Sequence, residues 1–305
     1  MKIKIIIFLS LIINLCSCDK SQVSEKAIGI FDISKDDKTI LFSYFKDNTS
    51  SIYSMNIDGT NIKTIIESKN GKSFYNPRYS SDNKMILFIE NDVSDKENSS
   101  LCIANADGSN IIQLTNNLNI ITEAFFRENN NEIIFCKANE FKNYSPIARK
   151  MPHGFDIYSI NLKTKKTSQL TKLDAYSINY AKEIEGKIVF QIKSKLYNGV
   201  FALADNVHHI VPFIANGDSE DVKANSDFLF LPDKKEIIYI SNYDLYKMNS
   251  ITNKEEFLFT SNLGIISLMR KFNTSDKILC SIQNETNLCI IEDNKLSKSI
   301  IPINL

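Results

Sequence analysis

One degenerate pattern recurs six times along this chain of 305 residues. Each copy consists of an aromatic or apolar residue, a short polar turn and an apolar strand, and successive copies start about 42 to 54 residues apart, the period of four-stranded blades. We therefore predict an all-β fold, a six-bladed β-propeller of four-stranded antiparallel blades over residues 28–305. The first residues of the six copies should occupy equivalent buried positions. These residues are Ile33, Tyr79, Phe126, Tyr180, Phe230 and Phe272.

The second half of each copy supports the same architecture. Residues 52–57 alternate between apolar and polar side chains, as expected for a strand with two different faces. Asp58-Gly59 and Asp107-Gly108 supply the positive φ that a tight hairpin turn needs. A lone blade cannot bury both of its faces, whereas six blades in a ring bury them against one another.

The N-terminal segment predicts the compartment. Lys2 and Lys4 precede an apolar run over residues 5–13, which is too short to span a bilayer and has the form of a secretory signal. The run ends in Leu15-Cys16-Ser17-Cys18, which resembles the lipobox of bacterial lipoproteins. The alternative is an ordinary signal peptide with two incidental cysteines.

The lipobox resemblance implies a signal peptide over residues 1–17, cleavage before Cys18 and lipidation of that cysteine. Residues 18–27 would then form a tether, and the acyl chains would anchor the protein to a membrane. We expect a place in the bacterial cell envelope, at the outer membrane, facing either the periplasm or the cell surface.

The net charge argues against nucleic acid as a partner, and the cysteine spacing argues against a zinc or redox site. Lys plus Arg and Asp plus Glu both total 36, so the net charge is zero and no overall field favours nucleic acid. Cys102, Cys136, Cys280 and Cys289 would remain after cleavage, and their spacing matches no zinc or redox motif. Cys280 and Cys289 flank a predicted hairpin and could form a disulfide in an oxidising compartment. The alternative is four buried free thiols. We predict no metal and no cofactor.

Two segments carry a resemblance to a known family. Tyr79-SSDNKMILF followed by LCIANADGSNIIQLTNN, and Phe230-LPDKKEIIY followed by DLYKMN, are similar to TolB-type propeller repeats. The resemblance covers residues 28–303 and implies six blades. TolB also carries an N-terminal α/β domain, for which we expect no counterpart between Cys18 and Ile28. The family's Asp-Gly turn is replaced at three places, by Asp36-Asp37, Asp82-Asn83 and Asp233-Lys234.

Signals for catalysis are sparse. A nucleophile elbow of the form G-x-S-x-G does not occur in the sequence. The three histidines are His153, His208 and His209, and the last two are adjacent on a predicted strand, so that their side chains point to opposite faces. The acidic run over residues 218–221 lacks the spacing of a known calcium loop and suits a solvated turn between blades.

A long insertion between two strands of blade 3, residues 138–154, is the first candidate contact site. Connections between the second and third strands share one rim with the inter-blade loops, and long loops in compact domains are frequently functional. Alternatively, this loop pairs with the acidic loop of blade 2, residues 90–98. The residues that we expect to contact a ligand or partner are Phe141, Tyr144, Arg149 and His153.

Arginine usage gives the second candidate. The chain has four arginines, and Arg78, Arg127 and Arg270 fall on predicted innermost strands. Because arginine makes planar, bidentate contacts, the three could form an anion-binding collar in the channel. Alternatively, they form ion pairs that brace neighbouring blades, with partners such as Glu123 or Glu128.

Two functions remain open at this point. The first is a non-catalytic envelope lipoprotein whose rim binds another envelope protein or a peptidoglycan-associated partner. The second is a carbohydrate- or peptide-processing enzyme at the channel mouth, using Arg149, His153 and a rim carboxylate.

Overall fold

Six antiparallel sheets of the protein form the blades of one ring, which confirms the predicted six-bladed β-propeller. The structure is a computed structural model and describes residues 26–116, 118–143, 146–147, 149–204, 209–213, 227–283, 285–301, 303 and 305. Cys16, Cys18, Tyr144, His208 and the acidic run at residues 218–221 lie outside the described residues. Within the described part of the chain, no helix has the length and apolar character needed to cross a membrane.

The strands of each blade pair in the order in which they occur in the chain, and in blade 3 a separate hairpin is inserted between the second and third strands. Blades 1 and 2 contain β1 (Ala27–Ile33), β2 (Thr39–Lys46), β3 (Thr49–Asn56), β4 (Lys63–Ile66), β5 (Lys72–Tyr79), β6 (Met85–Asp92), β7 (Asp95–Asn105) and β8 (Ile112–Gln113), with β9 (Leu118–Asn119) paired to β7. Blade 3 contains β10 (Ile121–Phe126), β11 (Glu132–Lys137), β14 (Asp156–Asn161) and β15 (Thr167–Gln169), and a separate hairpin is formed by β12 (Glu140–Lys142) and β13 (Met151–His153).

The remaining three blades repeat this plan. Blade 4 contains β16 (Ser177–Ile184), β17 (Lys187–Lys193), β18 (Asn198–Leu203) and β19 (Ile210–Pro212). Blade 5 contains β20 (Phe228–Leu231), β21 (Glu236–Ser241), β22 (Asp244–Asn249) and β23 (Glu255–Thr260), with a short 3-10 turn at Pro232–Lys234. Blade 6 contains β24 (Ile266–Lys271), β25 (Ile278–Ile282), β26 (Leu288–Glu292) and β27 (Lys295–Ile301).

The predicted equivalence of the six motif residues holds in four blades and is wrong in two. Of the four, Ile33 and Phe126 are buried as predicted, whereas Tyr79 and Phe230 are half-buried. In the four, the motif residue pairs with the residue seven positions later: Ile33 with Ile40, Tyr79 with Ile86, Phe126 with Ile133, and Phe230 with Ile237. Tyr180 instead lies inside the register shift between Asn179 and Lys182. Phe272 follows β24, and its N–H closes the turn on Lys277, so that Lys271 takes the motif position.

The core of the propeller lies between blades. The described residues form six hydrophobic clusters, and each cluster joins two neighbouring blades. Phe31 and Phe42 of blade 1, for example, pack with Leu268 and Leu279 of blade 6. Because burial of one large apolar side chain contributes about 1.5–3 kcal/mol, these clusters supply most of the stabilisation of the ring.

The turns between first and second strands are hydrogen-bonded to one another along one rim. The residue at the glycine position of the family motif has positive φ in three blades, and its side chain accepts a backbone N–H from the turn of the preceding blade. Asn and Asp tolerate this left-handed conformation and add an acceptor that glycine lacks. The bonds are Lys35 N to Asn83 Oδ1 (2.8 Å), Ser81 N to Asn130 Oδ1 (2.9 Å) and Asn273 N to Asp37 Oδ1 (2.8 Å).

Blades 1 and 6 close the ring without sharing a strand. The Asp37 carboxylate of blade 1 accepts hydrogen bonds from both the backbone and the side chains of Asn273 and Thr274 in blade 6. Lys26 Nζ also donates to the carbonyl oxygen of Leu305 at 3.0 Å. The closure therefore depends on side-chain packing and turn hydrogen bonds.

The four described cysteines are free and buried. Cys280 and Cys289 face each other across β25 and β26. Burial raises the pKa of both thiols, and it raises the pKa of Cys102 to about 12. The structure thus supports the alternative of buried free thiols over a disulfide between Cys280 and Cys289.

Candidate functional site

The β12–β13 hairpin projects from one rim of the propeller. It connects the second and third strands of blade 3, β11 and β14. In an antiparallel blade, these connections lie at the same end as the connections between blades. We call this end the upper rim and the opposite end the lower rim. The start of β1, directly after Lys26, also lies on the upper rim.

The base of the hairpin is fixed by Asn139 and Gly154. The Asn139 backbone N–H donates to the carbonyl oxygens of His153 and Gly154, while its Nδ2 donates to the buried carboxylate of Asp156 at 3.0 Å. Gly154 has a φ of 65°, and a Cβ atom there would lie 2.8 Å from Asp174 Oδ1. The hairpin therefore leaves the blade in a defined direction.

The residues predicted to make contact are distributed over the base and the tip of the hairpin. Phe141 pairs with Pro152, and His153 pairs with Glu140; both Phe141 and His153 are half-buried. Burial lowers the pKa of His153 below its ordinary value. Arg149 is exposed near the tip. The enzyme alternative requires Arg149, His153 and a carboxylate on the rim. The structure supplies a carboxylate beside His153, that of Glu140.

The acidic loop of blade 2 meets the hairpin at one ion pair. Lys150 Nζ lies 3.4 Å from Glu97 Oε1, with both side chains about half exposed, so the pair contributes little stability. A polar cavity of about 110 Å³ lies in the same loop and is lined by Glu90, Asp92 and Asp95. Lys72 Nζ lies 3.1 Å from Glu90 and offsets part of this negative charge.

The predicted arginine collar is only partly assembled. Arg78 and Arg270 lie on the innermost strands β5 and β24. Arg127 directly follows β10 and pairs with Glu183 of blade 4 at 2.8 Å, so its placement on an innermost strand is wrong. The cause is the turn that begins at Arg127, whose N–H bonds the carbonyl oxygen of Glu132. Arg127 thus braces two blades, as in the ion-pair alternative, but through Glu183.

The channel holds alternating charges instead of a cationic collar. Carboxylates come from the innermost strands of blades 1, 3 and 5 or the residue before them, and cations come from blades 2, 4 and 6. We call this set the charge ring. In blade order it consists of Asp32, Arg78, Glu123, Lys182, Asp227 and Arg270. The formal charges of these six residues cancel, in contrast to the predicted collar of three cations.

The carboxylates of the charge ring bond the backbone of the next blade. Asp32 accepts from Tyr79 N at 2.9 Å, and Glu123 accepts from Tyr180 N and Ala181 N at 2.6 Å each. Asp227 accepts from Met269 N at 3.0 Å. Tyr180 and Ala181 lie inside the register shift of β16, whereas Tyr79 and Met269 lie in regular pairs of β5 and β24. All four N–H groups belong to innermost strands, which pair with a neighbouring strand of the blade on one side.

Asp227 is the most heavily bonded member of the charge ring. Its fully buried side chain lies 2.8 Å from Lys182 Nζ and 3.0 Å from an Arg270 guanidinium nitrogen. Burial would raise the pKa of this carboxyl, but Lys182 and Arg270 outweigh burial and hold the pKa below its ordinary value. Burial lowers the pKa of Lys182, and it lowers that of Arg78 to about 10 with help from Arg270.

Lys182 was not identified from the sequence. The available signal is a charged residue within three positions of each motif residue, as Asp227 stands near Phe230 and Lys182 near Tyr180. This signal does not select Lys182, because the irregular register of β16 hides which residue of that strand faces the channel. Among the described residues, no three His, Cys, Asp or Glu side chains are grouped to hold a metal ion.

No family model and no curated protein matches the sequence. The fold is similar to TolB from Acinetobacter baumannii (TM-score 0.62, 13% identity), over 88% of this chain and 63% of that one. It is also similar to an oligogalacturonate lyase from Vibrio parahaemolyticus (TM-score 0.56, 10% identity), over 83% of this chain and 73% of that one. A prolyl endopeptidase is similar over 89% of this chain and 42% of its own length, with 8% identity and a TM-score of 0.53. At these identities the likeness establishes the fold, a six-bladed propeller, and this chain spans less than two thirds of the TolB structure.

Proposed function

We propose that the protein is a lipid-anchored envelope protein whose propeller is a non-catalytic platform, and that it binds an envelope protein or a peptidoglycan-associated partner through the β12–β13 hairpin. The observation that carries the proposal is the hairpin itself. It is added to the repeated blade, leaves the upper rim in a fixed direction, and exposes 97% of Ile147. Large apolar side chains exposed on a rigid support are typical of contact surfaces.

The neighbouring charges fit the same use. Arg149 and Lys150 follow Ile147 closely, so the tip combines an apolar side chain with cations. Lys150 forms an exposed pair with Glu97, which a partner carboxylate could replace at little cost. We expect the partner to present an apolar contact flanked by acidic groups.

Photo-crosslinking in cells tests the proposal. A photoreactive amino acid in place of Ile147 should form a discrete crosslinked product with an envelope component, and the same group in place of Ile251 should not. Ile251 is 64% exposed and lies in the β22–β23 turn on the lower rim, which makes it a matched control. Equal crosslinking at both positions, or none at Ile147, would contradict a site on the hairpin.

A shortened hairpin gives the second test. Replacing residues 143–150 by Asn-Gly keeps β12 and β13 and supplies a two-residue turn. Thermal stability should change little, because the hairpin lies outside the inter-blade clusters and loop length has a small entropic effect. Affinity for the crosslinked partner, or for sedimented peptidoglycan, should fall at least about tenfold, which equals about 1.4 kcal/mol. Unchanged binding by a normally folded variant would rule the hairpin out.

A further inference from the structure

The outer strand of blade 2, β8, presents a free edge on the outside of the ring. Among the described strands, the fourth strand of each blade pairs with one neighbour, so that its other edge is unpaired. Residues 109–113 are all exposed, with Ile111 at 52% and Ile112 at 49%. The edge of β8 therefore combines unpaired backbone groups with two exposed apolar side chains.

The backbone of β8 directs some of its hydrogen-bonding groups away from the blade. Leu114 N donates to the carbonyl oxygen of Leu101 on β7 at 2.7 Å. The N–H and C=O groups of successive residues point alternately to the two sides of a strand, so those of Gln113 point outwards. Gln113 is thus a residue through which a further strand would bond.

The other five outer strands are protected against such pairing, whereas β8 is not. Natural sheets protect a free edge with charged side chains, above all lysine, or with proline. Each of the other five carries such a residue in the strand or directly before it. These residues are Lys63 in β4, Lys166 before β15, Pro212 in β19, Glu255 in β23 and Lys295 in β27. Residues 108–122, by contrast, contain no charged side chain and form the longest uncharged stretch after Cys18.

Blade 1 shows that the fold does not require an apolar residue at Ile112. Both blades have an Asp-Gly turn before the outer strand, and alignment on this turn sets Lys63 against Ile112 and Thr64 against Gln113. Both blades nevertheless form the same succession of four paired strands. An exposed apolar side chain that the repeat does not need is expected of a contact residue.

We propose that β8 pairs with β8 of a second copy of the chain, as antiparallel strands related by a two-fold axis at Gln113. In this register Gln113 lies opposite its own equivalent, and Ile112 lies opposite Leu114 of the second copy, so apolar side chains meet across the contact. A two-fold contact brings side chains near their own equivalents, where a charge would meet a like charge. The uncharged stretch avoids this repulsion.

The pairing closes on itself. Both copies use the same edge, so the dimer leaves no further β8 edge free and does not grow into a fibre. The contact is small, since the chain bends after Leu114 at Thr115 and Asn116, and we expect a Kd on the order of micromolar. The second propeller is inverted relative to the first, so the two β12–β13 hairpins project from opposite sides of the dimer. The contact uses neither hairpin and does not depend on the proposed function.

Disulfide trapping on the full chain tests the register. Opposite residues of a hydrogen-bonded antiparallel pair have Cα atoms about 5.5 Å apart, within the range that a disulfide spans. Gln113→Cys should therefore form a covalent dimer under mild oxidation. Thr64→Cys, which is exposed at the equivalent position of blade 1, is the matched control and should stay monomeric. The parent chain reports any crosslink through native cysteines, of which the four described ones are buried.

Ile112→Lys gives blade 2 the protecting residue of blade 1. The Tm should not change, because Ile112 is half exposed and blade 1 folds with Lys63 at the same place. The Kd of dimerisation should rise at least about tenfold, because each lysine would lie opposite a leucine and the two lysines would repel each other. Ile251→Lys, at an isoleucine that is 64% exposed in a lower-rim turn, is the control and should dimerise like the parent. Sedimentation velocity of the full chain in detergent measures both variants.

Several results would overturn the proposal. A parent chain that stays monomeric up to about 100 μM, far above a micromolar Kd, has no such contact. Equal trapping at positions 64 and 113 would reflect random collision, and a dimer that survives Ile112→Lys would form elsewhere on the molecule. Assemblies larger than a dimer would show an open contact instead of a two-fold one. Trapping of a different protein at position 113 in cells would assign the edge to a foreign strand.

Discussion

The charge ring gives a quantitative prediction at Asp227. In Asp227→Asn the side chain keeps its size and one acceptor oxygen, but Lys182 and Arg270 lose the carboxylate that lies 2.8 and 3.0 Å away. Asp227 is fully buried, and removal of one partner from a buried ion pair costs about 3–5 kcal/mol, because the remaining charge is uncompensated. For a domain of this size each kcal/mol lowers the Tm by about 2–4 °C, so a fall of roughly 10 °C is expected.

Asp276→Asn is the matched control. Like Asp227, Asp276 pairs with two cationic side chains, Lys234 at 2.8 Å and Lys271 at 3.7 Å, but 67% of its side chain is exposed. Water and salt screen such a pair, so the Tm of this variant should stay within experimental scatter of the parent. Thermal unfolding followed by circular dichroism measures both. If Asp227→Asn melts like Asp276→Asn, burial of the charge ring does not stabilise the propeller.

Three further predictions concern other parts of the molecule. Asn83→Ala should cost about 2–3 kcal/mol, because it removes the hydrogen bond from Lys35 and places alanine at a φ of 58°, which asparagine tolerates better. Asn83→Gly should cost about 1 kcal/mol for the lost bond alone, and denaturant unfolding compares the two variants. The pKa of Asp227 is lower in the folded protein than its ordinary value of 3.8, so the charged carboxylate stabilises the fold fully above pH 3.8 and loses this effect as pH falls through the folded pKa. The Tm difference between the parent and Asp227→Asn should therefore shrink below about pH 4. Cys18→Ser should release the protein from membranes at high salt without changing its Tm, and detergent phase separation shows whether the anchor lies elsewhere.

The sequence predicted the architecture because each blade repeats the same order of apolar strands and polar turns, and the spacing of the copies is that of a four-stranded blade. Ile33, Tyr79, Phe126 and Phe230 occupy one register position, as the pattern required. Tyr180 has a φ of 55° inside an irregular stretch of β16, and an alignment based on spacing assigned it to the wrong position. Local register irregularities depend on contacts with the next blade, and a single sequence does not display them.

The candidate sites were less predictable than the fold. Arg78 and Arg270 were identified by residue type, but their partners belong to other blades, far away in sequence. Arg78 donates to the carbonyl oxygen of Phe31, and Arg270 pairs with Asp32 and Asp227. In the sequence, Asn83 in place of the family glycine is a departure from the repeat pattern. The structure explains this residue, because its Oδ1 accepts a hydrogen bond from Lys35 N of the preceding blade at 2.8 Å.

The alternation of the charge ring constrains how such a ring can grow or shrink. A circle of groups that alternate in sign closes only when their number is even, because an odd number would set two like charges side by side. Loss or duplication of a single blade would therefore create a repulsive seam, whereas loss or duplication of two adjacent blades would preserve the pattern. By this parity rule the unit of change in the ring is a pair of blades, one that contributes a carboxylate, such as Asp227, and one that contributes a cation, such as Arg270.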